Sequence, residues 1–146
     1  MRFLDSAVQR GILIECFGIS SGGSLGGRTG IEWTDATWNP MTGCTKMSAG
    51  CDHCYAATIA ATKTREMYLR QPPVRYTDRS LHDPFAPRFW PQRLEQPLHW
   101  RQPRRVFVNS MSDVFHAHFS LEMVQSVFAI MKRAWWHQFQ VLSKRP

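Results

Sequence analysis

Apolar residues recur along this chain with two different periods, and the change from one to the other marks out the elements. Between Leu121 and about Trp135 they fall at Met123, Val127, Ile130 and Ala134, with Val124, Phe128 and Met131 widening the stripe. That spacing predicts an amphipathic helix with one side turned to a core, and Ser120 supplies its N-cap. Cys54 to Leu69 is rich in alanine and holds no Gly or Pro, so it predicts a second helix that begins at the cysteine. The short runs RVFVN (residues 105–109) and FQVL (139–142) are β-branched and aromatic, the composition of buried strands. Ile31 to Trp38, stopped by Asn39-Pro40, predicts a short strand or an extended lead-in. Gln71 to Pro103 is rich in proline and shows little periodicity, which predicts a long connection with a short helix around Gln92 to Leu98.

The predicted order is strand, cysteine loop, helix, strand, helix, strand, which implies an α/β fold with a parallel sheet. A three-stranded parallel sheet ending at Pro146 would leave a face and an edge uncovered, so the expectation is a truncated part of a longer fold. Residues 1–30 differ from the rest. Gly18 to Gly30 contains six glycines and three serines, a flexible-linker composition, and the domain is expected over residues 31–146. GILIECFGI at residues 11–19 follows Arg2 and Arg10 as a signal-peptide core would, yet Glu15 interrupts it and no small-x-small cleavage site follows.

At 146 residues the chain has room for one domain. No apolar run approaches the roughly 20 residues of a membrane span, so no membrane association is expected. The net charge of +7 and a pI near 9.8 favour anionic partners, nucleic acid among them. Cys44, Cys51 and Cys54 are bunched as Cys-x6-Cys-x2-Cys. That pattern points to metal in a reducing cytoplasm and away from a disulfide framework.

Three thiols carry more information than four would. A structural zinc site is closed by four ligands. Three thiolates from one loop would hold three irons of a [4Fe-4S] cube and leave the fourth iron open, where the amino and carboxylate groups of S-adenosylmethionine can chelate.

IEWTDATWNPMTGC, GCDHCYA, RRVFVNSMSDVFH and FQVLSKRP stand in this order over residues 31–146 and together resemble a phage and prophage family of radical-SAM-like proteins. The resemblance implies the first half of a partial (β/α)6 TIM-like barrel, a [4Fe-4S] cluster on Cys44, Cys51 and Cys54, and S-adenosylmethionine as cofactor. It also implies an electron donor, and some likeness to the spore photoproduct lyase branch. The implied chemistry is reductive cleavage of S-adenosylmethionine to a 5′-deoxyadenosyl radical that abstracts hydrogen from a substrate the resemblance does not name. Two departures stand out: the first gap is six residues where three is usual in that superfamily, and His53 takes the place of an aromatic residue.

In such a barrel the strand C-termini face the site. Asn109, Ser110 and Asp113 after one strand, and Ser143 and Lys144 after the next, are therefore the candidate cofactor-binding residues, with Arg145 beside them. The plainer alternatives are a turn with a cap for the first set and a solvated basic end for the second. His53 suits shielding of a cluster; His116 and His118 suit an inert loop; Cys16, Trp33 and Trp38 suit packing. Two other readings remain open. One is a zinc-stabilised nucleic-acid-binding module using the three cysteines and a histidine, and the other is an inactive truncated remnant.

Overall fold

The computed structural model describes the backbone of residues 12–16 and the chain from 29 to 145. The candidate site is positioned by three parallel strands, β2 (Ala36–Trp38), β5 (Arg105–Val108) and β6 (Gln138–Ser143). β5 lies in the middle, with Val106 opposite Ala36 on one side and Phe139 on the other. β1 (Ile12–Cys16) runs antiparallel along the free edge of β6, from Ile12 opposite Ser143 to Cys16 opposite Phe139. A separate two-stranded antiparallel sheet pairs β3 (Met41–Thr42) with β4 (Arg88–Phe89).

This architecture overturns the expectation of half a (β/α)6 barrel. Parallel strands continue around a barrel only if the edge of the last one stays open for the next. Here the backbone donors and acceptors on that edge of β6 are taken by an antiparallel strand. The sheet is α/β and mixed. The strand that closes it, ILIEC, comes from the segment expected to be a flexible leader; the remainder of that leader, residues 1–11 and 17–28, lies outside the described residues.

One face of the sheet carries the core. Trp38, Val106, Val108, Phe139 and Val141 point to the same side and pack on α4 (Leu121–Arg133) through Val127, Ile130, Met131 and Ala134. Each such side chain, fully buried, contributes about 1.5–3 kcal/mol of transfer free energy. Ser120 caps α4 by accepting from the backbone N–H of Met123 at 3.3 Å, and Lys132 and Arg133 sit in its last turn, where the helix dipole favours cations. Trp38 is fully buried and donates its indole N–H to the Arg93 carbonyl at 2.8 Å, a core role; Trp33 lies half-exposed over the Phe107 ring, 4.8 Å between centroids.

The helix expected over Cys54 to Leu69 is broken in two, α1 (Tyr55–Thr62) and α2 (Arg65–Arg70). The break falls where threonines compete with the helix for its carbonyls. Thr62 donates its hydroxyl to the Thr58 carbonyl at 2.7 Å, and the Thr64 N–H reaches back five residues to Ile59 at 3.1 Å. Both pieces pack around Trp90, through Ala56, Ala60 and Tyr68.

The proline-rich connection is more ordered than its sequence suggests. It contains α3 (Asp78–His82), β4, and two 3-10 turns at Pro91–Arg93 and Gln96–His99 in place of one helix. Arg88 organises it from inside. Its side chain is fully buried and donates to the carbonyls of Gln71 (2.8 Å), Asp83 (2.8 Å), Ala86 (2.9 Å) and Ser80 (3.1 Å). Among the described residues no helix is long and apolar enough to cross a membrane.

Candidate metal centre

The loops that leave the C-terminal ends of β2, β5 and β6 are laced together. In open α/β sheets that edge is where ligands bind. After β2, the Asn39 side chain accepts from the backbone N–H of Met111 at 3.0 Å and exchanges hydrogen bonds with the Ser110 hydroxyl. After β5, Asn109 takes a left-handed conformation (φ 56°), and its side-chain oxygen accepts from the Met41 N–H at 3.3 Å. Asn is among the few residues that adopt this conformation at low cost. Asp113 then spans to β6. Its buried carboxylate accepts from the Ser143 hydroxyl (2.9 Å), the Lys144 N–H (2.9 Å) and the Phe115 N–H (3.0 Å).

The cysteine loop hangs from this frame. Gly43 sits at φ +87° with its N–H on the Met111 carbonyl (2.8 Å), and a Cβ there would lie 2.3 Å from the Ala86 carbonyl oxygen. Only glycine fits a positive φ with backbone that close. Cys44 follows, its N–H bonded to the Phe85 carbonyl at 3.0 Å. Cys51 ends a 3-10 turn (Ala49–Cys51), and Cys54 stands at the N-cap of α1. All three thiols are free, partly buried, and border one cavity of about 730 Å³.

The two residues after β6 reach the loop directly. Lys144 donates its ammonium to the Gly50 carbonyl at 3.0 Å. Arg145 donates to the carbonyl and the hydroxyl of Thr45, each at 3.3 Å, and directs an N–H toward Cys44 Sγ at 3.7 Å. His116 supports Thr45 from below. The His118 N–H donates to Nδ1 at 3.1 Å, which leaves the proton of the neutral ring on Nε2, 3.0 Å from the Thr45 hydroxyl. Burial first, then the charges of Arg145 and His118, pushes the His116 pKa down to about 4, with Asp113 opposing, so the ring is neutral at pH 7.

The thiols differ in character. Backbone N–H groups of Met47 and Ser48 hold the Cys51 pKa below that of an ordinary thiol despite some desolvation, and the Lys144 charge helps. Burial pushes the Cys44 thiol up, against the hydrogen bond and charge of Arg145. Lys46 and Asp52 form an exposed ion pair across the loop at 2.8 Å.

A three-thiolate cluster can be tested against these residues. Among the described residues, no three His, Cys, Asp or Glu side chains are gathered as they would be around a metal ion, so the loop is open in this conformation. Residues 45–50 are exposed throughout, and a donor set that closes on binding is the ordinary behaviour of metal loops. Donor chemistry and charge fit. Three thiols border one cavity, Lys144 and Arg145 reach the loop between the first two, and Arg145 Nε is buried without a hydrogen-bond partner among the described residues.

Of the candidates from sequence, Cys44, Cys51 and Cys54 share the cavity wall. Asn109, Ser110, Asp113 and Ser143 instead have their side chains engaged in tying the three loops together, and Lys144 is spent on the cysteine loop itself. His53 is exposed, and His118 borders the cavity. The side chain of Cys16 lies outside the described residues. Sequence reasoning passed over Thr45, set His116 aside as an inert loop histidine, and weighed Arg145 both as a cation for an anionic ligand and as a solvated basic end. The signal was topological: residues that follow β5 and β6 must meet the loop that follows β2 if the three strands are parallel neighbours.

A family model described as a protein of unknown function, DUF5131, matches residues 28–146. No curated protein and no solved structure matches the chain.

Proposed function

The chain belongs to the DUF5131 family, and we propose that its three-cysteine loop holds a [4Fe-4S] cluster that works on S-adenosylmethionine. The observation that carries this reading is that Cys44, Cys51 and Cys54, with no fourth cysteine among the described side chains, border one cavity at the C-terminal ends of three parallel strands. Held by Cys44, Cys51 and Cys54, such a cluster would supply one-electron reduction of the S-adenosylmethionine sulfonium, with the electron coming from an external donor, and so radical chemistry for hydrogen abstraction from substrate.

The chain's own residues do the rest. Cys51, whose pKa its backbone N–H neighbours hold below that of an ordinary thiol, ionises more readily than Cys44, whose thiol burial pushes up. Arg145 offers Cys44 an N–H and a positive charge, which stabilises a metal-bound thiolate and offsets the cost of burying it. Lys144 fixes Gly50, one residue before Cys51, so that β6 positions both ends of the loop. Asp113 holds Lys144 in turn through its backbone N–H.

Anaerobic reconstitution with iron and sulfide, followed by metal and sulfide analysis, tests the proposal. The expected result is about four iron and four sulfide per chain, lost in each of C44A, C51A and C54A. Stoichiometric zinc without sulfide would overturn it in favour of a zinc-stabilised module.

A further inference from the structure

We infer that the outer wall of the thiol cavity is a binding site for nucleotide phosphates. Arg65 at the start of α2, Arg75 in the connection after it, and Arg79 in α3 border the same cavity as the three cysteines. None of their guanidinium groups forms an ion pair or a hydrogen bond with the described residues. Lys46, Asp52 and Asp83, which border the same cavity, each have a partner. Lys46 is held by Asp52 at 2.8 Å, and Asp83 accepts from the Phe85 N–H at 2.8 Å.

An exposed arginine is most often a solvated surface residue. Two features set these apart. They come from three segments and all border the cavity that the cysteines line. The backbone that carries two of them is also braced. Buried Arg88 grips the carbonyls of Gln71, Ser80, Asp83 and Ala86, and Thr77 and Ser80 form a reciprocal capping box around the start of α3. A preordered frame lowers the entropy cost of holding a ligand.

Three guanidiniums that border one cavity without a partner among the described residues suit a ligand with several negative charges. Their planar forks match phosphate oxygens better than any neutral group does. Phe85, half-buried in the same wall, offers an apolar face to a base or sugar. The phosphates come from a nucleic-acid strand or from a free nucleotide, and the chemistry of recognition is the same. A ligand held there lies beside the thiols, and its role as substrate rests on the cluster proposed above; binding itself needs no cluster.

The test is fluorescence anisotropy with a short labelled single-stranded oligonucleotide and the full chain over a range of salt, beside calorimetric titration with ATP. Three phosphate contacts predict a log K against log salt slope of about −2 for a single strand. The R65Q/R75Q/R79Q variant is expected to flatten that slope toward zero and to weaken binding by about tenfold or more. R101Q/K132Q/R133Q makes the same charge change away from the cavity and should leave binding largely intact. C44A/C51A/C54A should still bind, so loss of the cluster and loss of this site are read separately. ATP binding with the same arginine dependence, without strand binding, assigns the site to free nucleotides. Equal weakening by both charge triples, or binding of neither probe, would overturn the inference.

Discussion

Two parts of the sheet edge carry polar side chains, and they are built differently. The frame of Asn39, Asn109, Asp113 and Ser143 is buried or nearly so, and each side chain has its partners within the protein. The loop from Thr45 to Gly50 is exposed and is anchored at its ends by Gly43, Lys144 and Arg145. The contrast separates two jobs that a sequence motif runs together. Residues at strand ends hold the geometry, and the loop is left exposed, as the proposed cluster would require of thiols that close around it.

The comparison breaks most visibly if a frame residue is removed. Asp113→Ala strips a buried acceptor from the Ser143 hydroxyl and the N–H groups of Phe115 and Lys144. The expected loss is about 3 kcal/mol, read as a lower urea midpoint with an unchanged slope. A smaller loss would mean that water replaces the carboxylate.

Gly43→Ala comes next. Its Cβ would stand 2.3 Å from the Ala86 oxygen at a positive φ, so the hinge between frame and loop must shift. A cost of about 2 kcal/mol is expected in the same assay.

His116 sharpens the comparison through pH. Its pKa is held below the ordinary 6.5, at about 4, so folding favours the neutral ring. That stabilisation is present above about pH 6.5 and is lost as the pH falls through the folded value near 4. His116→Gln removes the titration, and its melting temperature should fall less steeply than that of the wild type across this window. Parallel acid limbs would contradict the assignment.

The smallest effect belongs to the exposed loop. The Lys46–Asp52 pair is open to solvent on both sides, and Asp52→Ala should leave the urea midpoint unchanged.

Where a residue's neighbours are local, the sequence was informative. The amphipathic stripe of α4 and its Ser120 cap, and the β-branched runs of β5 and β6, are set by spacing and composition. That Cys44, Cys51 and Cys54 border one cavity follows from the same local spacing. What depends on distant pairing was not legible. ILIEC has nothing in its own residues to say that it runs antiparallel to β6, and that pairing turned an expected half-barrel into a four-stranded mixed sheet. The order in the proline-rich connection likewise comes from one buried arginine, Arg88, whose carbonyl partners lie between two and seventeen residues away. Asn109, Asp113 and Ser143 stood out as polar residues after strands, but only the fold shows that their side chains face one another's loops.

The most direct measurement is low-temperature EPR of the anaerobically reconstituted and reduced protein, before and after S-adenosylmethionine is added. A cluster held through three of its irons by Cys44, Cys51 and Cys54, with the fourth iron open, predicts a reduced-cluster signal that changes on addition and is absent in the C44A/C51A/C54A variant. A signal unmoved by S-adenosylmethionine, or a protein that takes up zinc and no sulfide, would contradict the account.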